Sequence, residues 1–180
     1  MKGFTRREPR FSLCGLKCGL CRMHLGGYCP GCGGGEGNQS CAIARCSLEH
    51  GGPEFCWDCP EYPCARYEGF DECDSFVPHS ARARDAAEAR SLGIEAYMAR
   101  MRESAALLEK LLGGYNDGRR KTLFSTAAYL LPPEDLRAVL ERLRAQAEGL
   151  ELKERAALAA RLLTEAAQAR GLSLKLVKKP

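Results

Sequence analysis

The sequence predicts a small, metal-stabilised, cysteine-rich N-terminal domain, made mostly of loops, knuckles and short helices, followed by an α-helical bundle. Two observations predict this division. All 11 cysteines of the 180-residue chain lie between Cys14 and Cys73. From Arg82 onward the composition turns to Ala, Leu, Glu and Arg, which are strong helix formers. The expected segments are a cysteine-rich domain, a helical domain and a basic tail, over residues 11–80, 81–172 and 173–180.

Composition and charge narrow the class of protein. Hydrophobic residues make up 45% of the chain and charged residues 28%, which are the proportions of a globular protein. No stretch approaches the ~20 apolar residues that a membrane-spanning helix needs, so we expect no membrane association. Residues 1–80 carry a net charge of −2 and residues 81–180 one of +6. Electrostatic attraction between the two halves explains the basic surface of the second half more simply than nucleic-acid binding does.

Three explanations compete for the cysteines: disulfides, metal binding, and a redox or catalytic thiol. The segment from Met1 to Arg10 has charges but no apolar stretch after it, so it does not resemble a signal peptide. We therefore expect a cytoplasmic protein, and disulfides rarely persist in a reducing cytosol. Eleven cysteines would also leave one unpaired in a full disulfide set. Metal binding is the favoured interpretation.

The spacing of the cysteines is typical of paired metal ligands. A CxxC turn places two sulfurs on one side of a tight loop, and structural zinc takes four such ligands in a tetrahedron. In the string CPGCG, Pro30 shapes the turn, and Gly31 and Gly33 allow positive φ, so that N–H groups point at sulfur. The predicted ligands are Cys14, Cys18, Cys21, Cys29, Cys32, Cys41, Cys46, Cys56, Cys59 and Cys64, with Cys73, His24 and His50 as further candidates.

We expect two or three zinc ions, because this half has too little apolar sequence to fold on a core alone. The cysteines do not divide uniquely among them. One group would hold Cys14, Cys18, Cys21 and one of Cys29 and Cys32. A second group would hold Cys41, Cys46, Cys56 and Cys59. The remaining ligands would be Cys64, Cys73 and the other member of the CPGC pair, joined by His24, His50 or His79.

Iron–sulfur clusters use the same thiolates and are the main alternative, as one or two [4Fe–4S] clusters. Cys29 and Cys59 are each followed by proline, as the fourth ligand often is in ferredoxins. The ferredoxin order of ligands is missing, however. The CxxxCxxC string from Cys14 to Cys21 also occurs in radical S-adenosylmethionine enzymes, but those need a (β/α) barrel that this sequence does not predict. Zinc is therefore favoured over iron–sulfur.

The cysteine strings resemble an uncharacterised bacterial and archaeal family, domain of unknown function 3795. The strings are CGLKCGLC from Cys14, CPGC from Cys29, CAIARC from Cys41 and CWDCPEYPC from Cys56, followed by GIEAY from Gly93. The resemblance covers about residues 11–103 and leaves out Cys73 and the helical extension after Ser104. It implies a metal-binding fold and no particular activity.

The second half shows the periodicity of four amphipathic helices. Apolar residues recur at intervals of three and four from Ile94 to Leu112, and Gly113-Gly114 is expected to end that helix. Further helices are predicted over residues 119–131, from Pro133 to near Gly149, and over 151–170. Short connections favour a bundle. The segment 173–180 is expected to be a tail rather than a strand.

The leading functional hypothesis is a zinc-binding structural or interaction module, without catalysis of its own and with a protein partner. An iron–sulfur redox protein is the second hypothesis. A zinc-assisted thiol enzyme or sulfur carrier is the third, because an unligated Cys64 or Cys73 beside a metal would have a lowered pKa. Nucleic acid is a less favoured partner, since acidic residues are interspersed with Arg119, Arg120 and the other basic residues of the helices.

Overall fold

The computed structural model describes residues 2–35 and 41–178. Within these ranges the regular structure is helical throughout, with no strand. The α-helices are α1 (Arg22–Leu25), α2 (Ala42–Glu49), α3 (Arg82–Leu92), α4 (Ile94–Tyr115), α5 (Lys121–Leu130), α6 (Pro133–Gln146) and α7 (Leu152–Ala169). Short 3-10 helices lie among the cysteines, at Cys18–Leu20, Cys56–Asp58 and Ala65–Tyr67. In the described part of the chain, no helix combines the length and apolar character that crossing a membrane requires.

The chain divides into two compact units, which we call the cysteine-rich unit and the helical unit. The first comprises Met1–Met98 with Val177–Pro180, and the second comprises Ala99–Leu176. The predicted boundary at residue 80 precedes this division, which leaves α3 in the cysteine-rich unit. The reason is charge pairing: the buried Asp85 of α3 pairs with Lys17 at 3.0 Å.

The helical unit has the apolar core that the periodicity predicted, and the helical bundle is confirmed. Four helices contribute to one core, whose fully buried side chains include Leu108, Leu111, Phe124, Leu136, Leu143, Leu162 and Leu163. Helix α6 begins at Pro133, with Glu134 and Asp135 in its first turn, where the helix dipole favours acidic residues. Helix α4 continues to Tyr115, beyond the predicted glycine stop. Neither of those glycines adopts a left-handed φ, so neither ends the helix.

The cysteine-rich unit contains apolar clusters among its loops. One includes Phe4, Leu13, Cys14, Ile43 and Ala44. In another part, the Phe11 ring lies 5.0 to 6.0 Å from the rings of Phe55, Trp57 and Tyr97. Polar side chains join the surrounding loops as well. The Arg6 side chain, 2% exposed, donates to the carbonyl oxygens of Glu54 and Phe11, each at 2.8 Å.

The C-terminal tail contains no strand as far as Lys178, in agreement with the prediction, and Lys179 and Pro180 lie outside the described residues. Val177 exchanges two hydrogen bonds with Asp74, each 2.7 Å long. Asp74 also accepts from the His79 backbone N–H at 2.7 Å. These contacts place the end of the tail in the cysteine-rich unit.

We predict that Gly15→Ala destabilises the cysteine-rich unit by about 1–3 kcal/mol. Gly15 has a φ of +98°, and a Cβ there would lie 3.0 Å from both the Ala86 Cβ and the Arg82 carbonyl oxygen. Urea unfolding followed by the fluorescence of Trp57, the single tryptophan, measures this unit. The matched control is Gly114→Ala within α4, where a Cβ meets nothing within 4 Å. An unchanged unfolding midpoint for Gly15→Ala would contradict the packing of α3 against this turn.

Candidate metal centre

The first group of thiols is built by tight turns at the start of the chain. The Ser12 hydroxyl lies 3.1 Å from the Cys14 sulfur and accepts a hydrogen bond from the Leu16 backbone N–H at 2.7 Å. The 3-10 turn that starts at Cys18 ends with a hydrogen bond from the Cys21 N–H to the Cys18 carbonyl, 3.0 Å long. The segment from Cys14 to Cys21 thus consists of consecutive tight turns, and each of its three cysteines lies in one of them.

The CPGC turn packs against the chain that precedes these turns. The Cys32 N–H donates to the Pro9 carbonyl at 2.8 Å. Gly31 has a φ of +90°, and a Cβ at this position would lie 2.5 Å from the same carbonyl oxygen. Glycine is therefore required here both by conformation and by close approach. This contact brings Cys29 and Cys32 back to the earlier cysteines.

Electrostatics identify which thiols are neighbours. Burial raises the pKa of Cys18 well above its ordinary value, and the nearby thiols raise it further. Those thiols, with Cys18 itself, form what we call the N-terminal cysteine group: Cys14, Cys18, Cys21, Cys29 and Cys32. Burial also raises the pKa of Cys14 to about 12, partly opposed by the hydrogen bond with Ser12. Such thiols stay protonated at neutral pH unless a cation binds them.

The second group lines a cavity of about 30 Å³ in the cysteine-rich unit. A water molecule needs roughly 10–15 Å³ on this measure, so the cavity has room for about two or three waters. We call the thiols in its wall the cavity cysteines: Cys46, Cys56, Cys59 and Cys64. Helix α2 carries the first, and the two 3-10 turns over residues 56–67 position the others.

Polar side chains surround the cavity cysteines. The Cys46 sulfur raises the pKa of the exposed Arg66 guanidinium. Burial raises the pKa of Cys56 to about 11, and the nearby Tyr67 hydroxyl opposes this rise. The His50 Nδ1 lies 3.5 Å from the Cys46 sulfur. Sequence reasoning singled out Tyr67 beside the last cysteine string but did not identify Arg66, which lies two residues after Cys64.

The structure groups the cysteines differently from the sequence-based partition. Cys64 lines the cavity with Cys46, Cys56 and Cys59, in place of Cys41. Cys41 is exposed, and Cys73 is half-buried and does not line this cavity. None of the eleven cysteines, all of them described, forms a disulfide. Among residues 2–35 and 41–178, no group of three or more Cys, His, Asp or Glu is already arranged to hold a metal ion.

The predicted histidine ligands have protein partners. His24 Nδ1 lies 3.0 Å from the Cys29 carbonyl oxygen. His50 Nδ1 lies 2.8 Å from the Cys46 carbonyl oxygen, and its Nε2 lies 3.3 Å from the Glu61 carboxylate. His79 contacts the Phe70 carbonyl and the Ser75 hydroxyl, each at 3.0 Å. Both ring nitrogens of His50 and His79 are thus in contacts with protein groups. A carbonyl partner at Nδ1 is common in ligating histidines, so His24 stays a candidate beside the thiols.

Comparisons with known proteins identify no relative of this chain. No protein-family model matches it, and neither a curated protein nor a solved structure matches it. The resemblance to the cysteine-rich family of unknown function stays a prediction. The functional argument therefore depends on the geometry of the two cysteine groups.

We predict that Asp85→Asn destabilises the cysteine-rich unit by about 3–5 kcal/mol, because it leaves the buried Lys17 ammonium without its carboxylate. The side chain of Asp85 is 1% exposed and that of Lys17 is 11% exposed. Urea unfolding followed by Trp57 fluorescence is the measurement. Glu72→Gln, at an exposed carboxylate of the same unit, is the control and is expected to leave the midpoint nearly unchanged. Equal effects of the two substitutions would contradict a structural role for the buried pair.

Proposed function

We propose that this protein binds zinc through its cysteine-rich unit and acts as a structural or interaction module, without catalysis of its own. One observation carries this proposal: four cysteines line a single cavity of about 30 Å³. Four thiolates are the complete ligand set of a structural zinc site. Four cysteines are also the ligand set of a [4Fe–4S] cluster. Zinc is favoured here because the sequence lacks the ferredoxin order of ligands.

Zinc needs thiolates, and burial raises the pKa of Cys14, Cys18 and Cys56, so that metal binding would have to displace their protons. The free energy of metal binding would in turn add to the stability of the unit whose loops it joins. Zinc would then act here as a folding cofactor.

The N-terminal cysteine group is also compatible with an iron–sulfur cluster. It holds five thiols, one more than a single tetrahedral zinc requires. An iron–sulfur cluster with four cysteine ligands would also fit this composition. The two metals differ in colour and in elemental content, so one experiment distinguishes them.

A protein partner fits the surface of the cysteine-rich unit better than a small substrate does. Large apolar side chains are exposed there, among them Tyr28 at 78%, Phe76 at 47% and Val177 at 56%. On the helical unit, by contrast, arginines pair with acidic residues, as Arg142 and Arg161 do with Glu165. Such paired charges present little free positive potential to nucleic acid.

The first test is the metal content and visible spectrum of protein purified without oxygen. We expect two or three zinc ions per chain and no absorption above the protein's own bands. A brown protein that contains iron and an equal amount of sulfide would contradict zinc binding and favour iron–sulfur clusters. A protein without either metal would remove the proposed function altogether.

We predict that chelation of the metal unfolds the cysteine-rich unit and leaves the helical unit folded, because the helical unit has a large apolar core of its own and no cysteine. Trp57 fluorescence reports the first event, and far-ultraviolet circular dichroism reports the second. Most of the helical signal should survive chelation. A single cooperative loss of both signals would contradict two separately stabilised units.

We predict that Cys18→Ser removes bound metal, whereas Cys73→Ser removes little. Cys18 has four other thiols as neighbours, and Cys73 belongs to neither cysteine group. Elemental analysis of the two variants, purified side by side, gives the result. The pair is matched because both side chains are partly buried and both changes replace sulfur by oxygen. Equal metal loss would make Cys73 a ligand.

A further inference from the structure

We propose that a groove along helix α3 binds an extended peptide segment of a protein partner. One apolar side chain of the segment lies between α3 and the rings of Trp57 and Tyr62, and one carboxylate binds Arg90. This inference rests on the proposed interaction role and adds the docking surface and the chemistry of the partner. Every residue in the wall of the groove belongs to the cysteine-rich unit.

The groove consists of two adjoining cavities, of about 390 and 530 Å³, which we call the first and the second cavity. Trp57 and Arg90 line both, so they lie where the two cavities meet. The wall of the first cavity is completed by Tyr62, Ala83, Ala86, Ala87 and Ser91. Both volumes are within the ~300–1,000 Å³ typical of ligand sites. A small molecule would fill one cavity, whereas a groove that continues past Trp57 suits an elongated ligand.

Helix α3 forms one side of the groove with a face of small side chains. Its residues in the wall of the first cavity recur at intervals of three and four, so they share one helix face. Two of them, Ala83 and Ala87, are exposed. Elsewhere on the helix, the buried Asp85 pairs with Lys17 at 3.0 Å and holds α3 in the unit. The helix is therefore fixed, while its alanines leave space for a side chain of a partner.

Two aromatic rings form the other side of the groove. Both belong to the segment 56–64, which carries three of the cavity cysteines. The Trp57 ring stacks on Phe55, with ring centres 4.2 Å apart and planes 14° from parallel. The Tyr62 ring meets the Tyr67 ring edge-on at 5.5 Å. Rings that are already held in place lose little conformational entropy on binding, which favours the capture of an apolar side chain.

Arg90 determines the charge of the ligand. Among the described residues, the wall of the first cavity includes no carboxylate, and Arg90 is its one charged side chain. The other two arginines of α3 have acidic partners, Asp71 for Arg82 at 2.7 Å and Asp85 for Arg84 at 3.0 Å. Arg90 has no hydrogen bond or ion pair with any residue that the structure describes. Its guanidinium is therefore available to a carboxylate, which it can hold through two parallel hydrogen bonds.

The second cavity carries arginines and carboxylates together. Its carboxylates are engaged within the protein: Glu54 accepts from the backbone N–H groups of Arg7 and Glu8 at 3.3 and 3.0 Å. Glu8 in turn pairs with Arg10 at 2.9 Å. A wall of both signs suits the polar backbone of a peptide, so the preference for an acidic residue comes from the first cavity.

The spacing of the groove predicts a short motif. Its alanines precede Arg90 by three to seven residues, a rise of about 5–10 Å along the helix. In an extended peptide, side chains on one side are two residues and about 7 Å apart. An apolar residue and an acidic residue with one residue between them therefore match the groove.

The first experiment exposes the unmodified protein to an array of heptapeptides Gly-Ser-X-Gly-Z-Ser-Gly, in which X and Z are each of the twenty amino acids. We expect binding to concentrate in peptides that pair Leu, Ile, Met or Phe at one position with Asp or Glu at the other. A preference for Lys or Arg, or no binding at all, would overturn the proposal.

Metal content of the same sample tests the proposed function separately. Zinc without peptide binding would refute the groove alone. Peptide binding without zinc would support the groove and refute zinc as the cofactor.

The second experiment measures the affinity of the tightest peptide in variants, through the fluorescence of Trp57 in the groove wall. Arg90→Gln is expected to bind about 10-fold more weakly, since it removes hydrogen bonds to a charged group. Arg102→Gln, at an exposed arginine of α4, makes the same change of charge and should leave the affinity unchanged. Equal affinities of the two variants would overturn the role of Arg90.

Ala87→Leu tests the apolar part of the groove, because a leucine there would occupy the first cavity. It should abolish peptide binding, while Ala106→Leu, at an exposed alanine of α4, should not. Urea unfolding of each variant shows that the unit is folded. Unchanged binding in Ala87→Leu would overturn the groove as the docking surface. Binding of 3-phenylpropionate as tightly as the peptide would overturn the peptide as the ligand.

Discussion

The buried guanidinium of Arg82 is the contact through which the parts of the cysteine-rich unit meet. It pairs with Asp71 through two short hydrogen bonds and lies over the ring of Tyr67. Its third contact, 3.4 Å long, is with the carbonyl oxygen of Cys14. One side chain thus joins the first turn of α3, the N-terminal cysteine group and the wall of the cavity. Because a buried cation must keep its partners, these parts are constrained to fold together.

The two units differ in the interactions that stabilise them. In the helical unit, leucines and alanines at intervals of three and four pack into one continuous core. Exposed ion pairs lie on its surface. In the cysteine-rich unit, buried apolar side chains such as Phe11 and Leu13 are accompanied by buried ionic groups such as the Lys17–Asp85 pair.

The N-terminal cysteine group and the cavity cysteines differ in what surrounds the sulfur. Around the N-terminal group, burial dominates, and the raised pKa values of Cys14 and Cys18 reflect it. At the cavity, burial raises the pKa of Cys56, and the nearby Tyr67 hydroxyl opposes this rise. The two groups are also joined, because the Cys56 N–H donates to the Leu13 carbonyl at 2.9 Å and Arg82 contacts both Cys14 and Tyr67.

The sequence by itself determined the helical half, because helix periodicity and proline and glycine signals act within a few residues. The starts of α6 and α7 follow this local information, as does the helical core built on Leu136, Leu143 and Leu162. It also determined that the thiols are confined to the first half. Only the tertiary structure decided which thiols are neighbours, because contacts such as that of Cys32 with Pro9 join positions far apart in the chain. The same holds for α3, whose place in the cysteine-rich unit follows from the distant partner Lys17 rather than from its own neighbours in sequence.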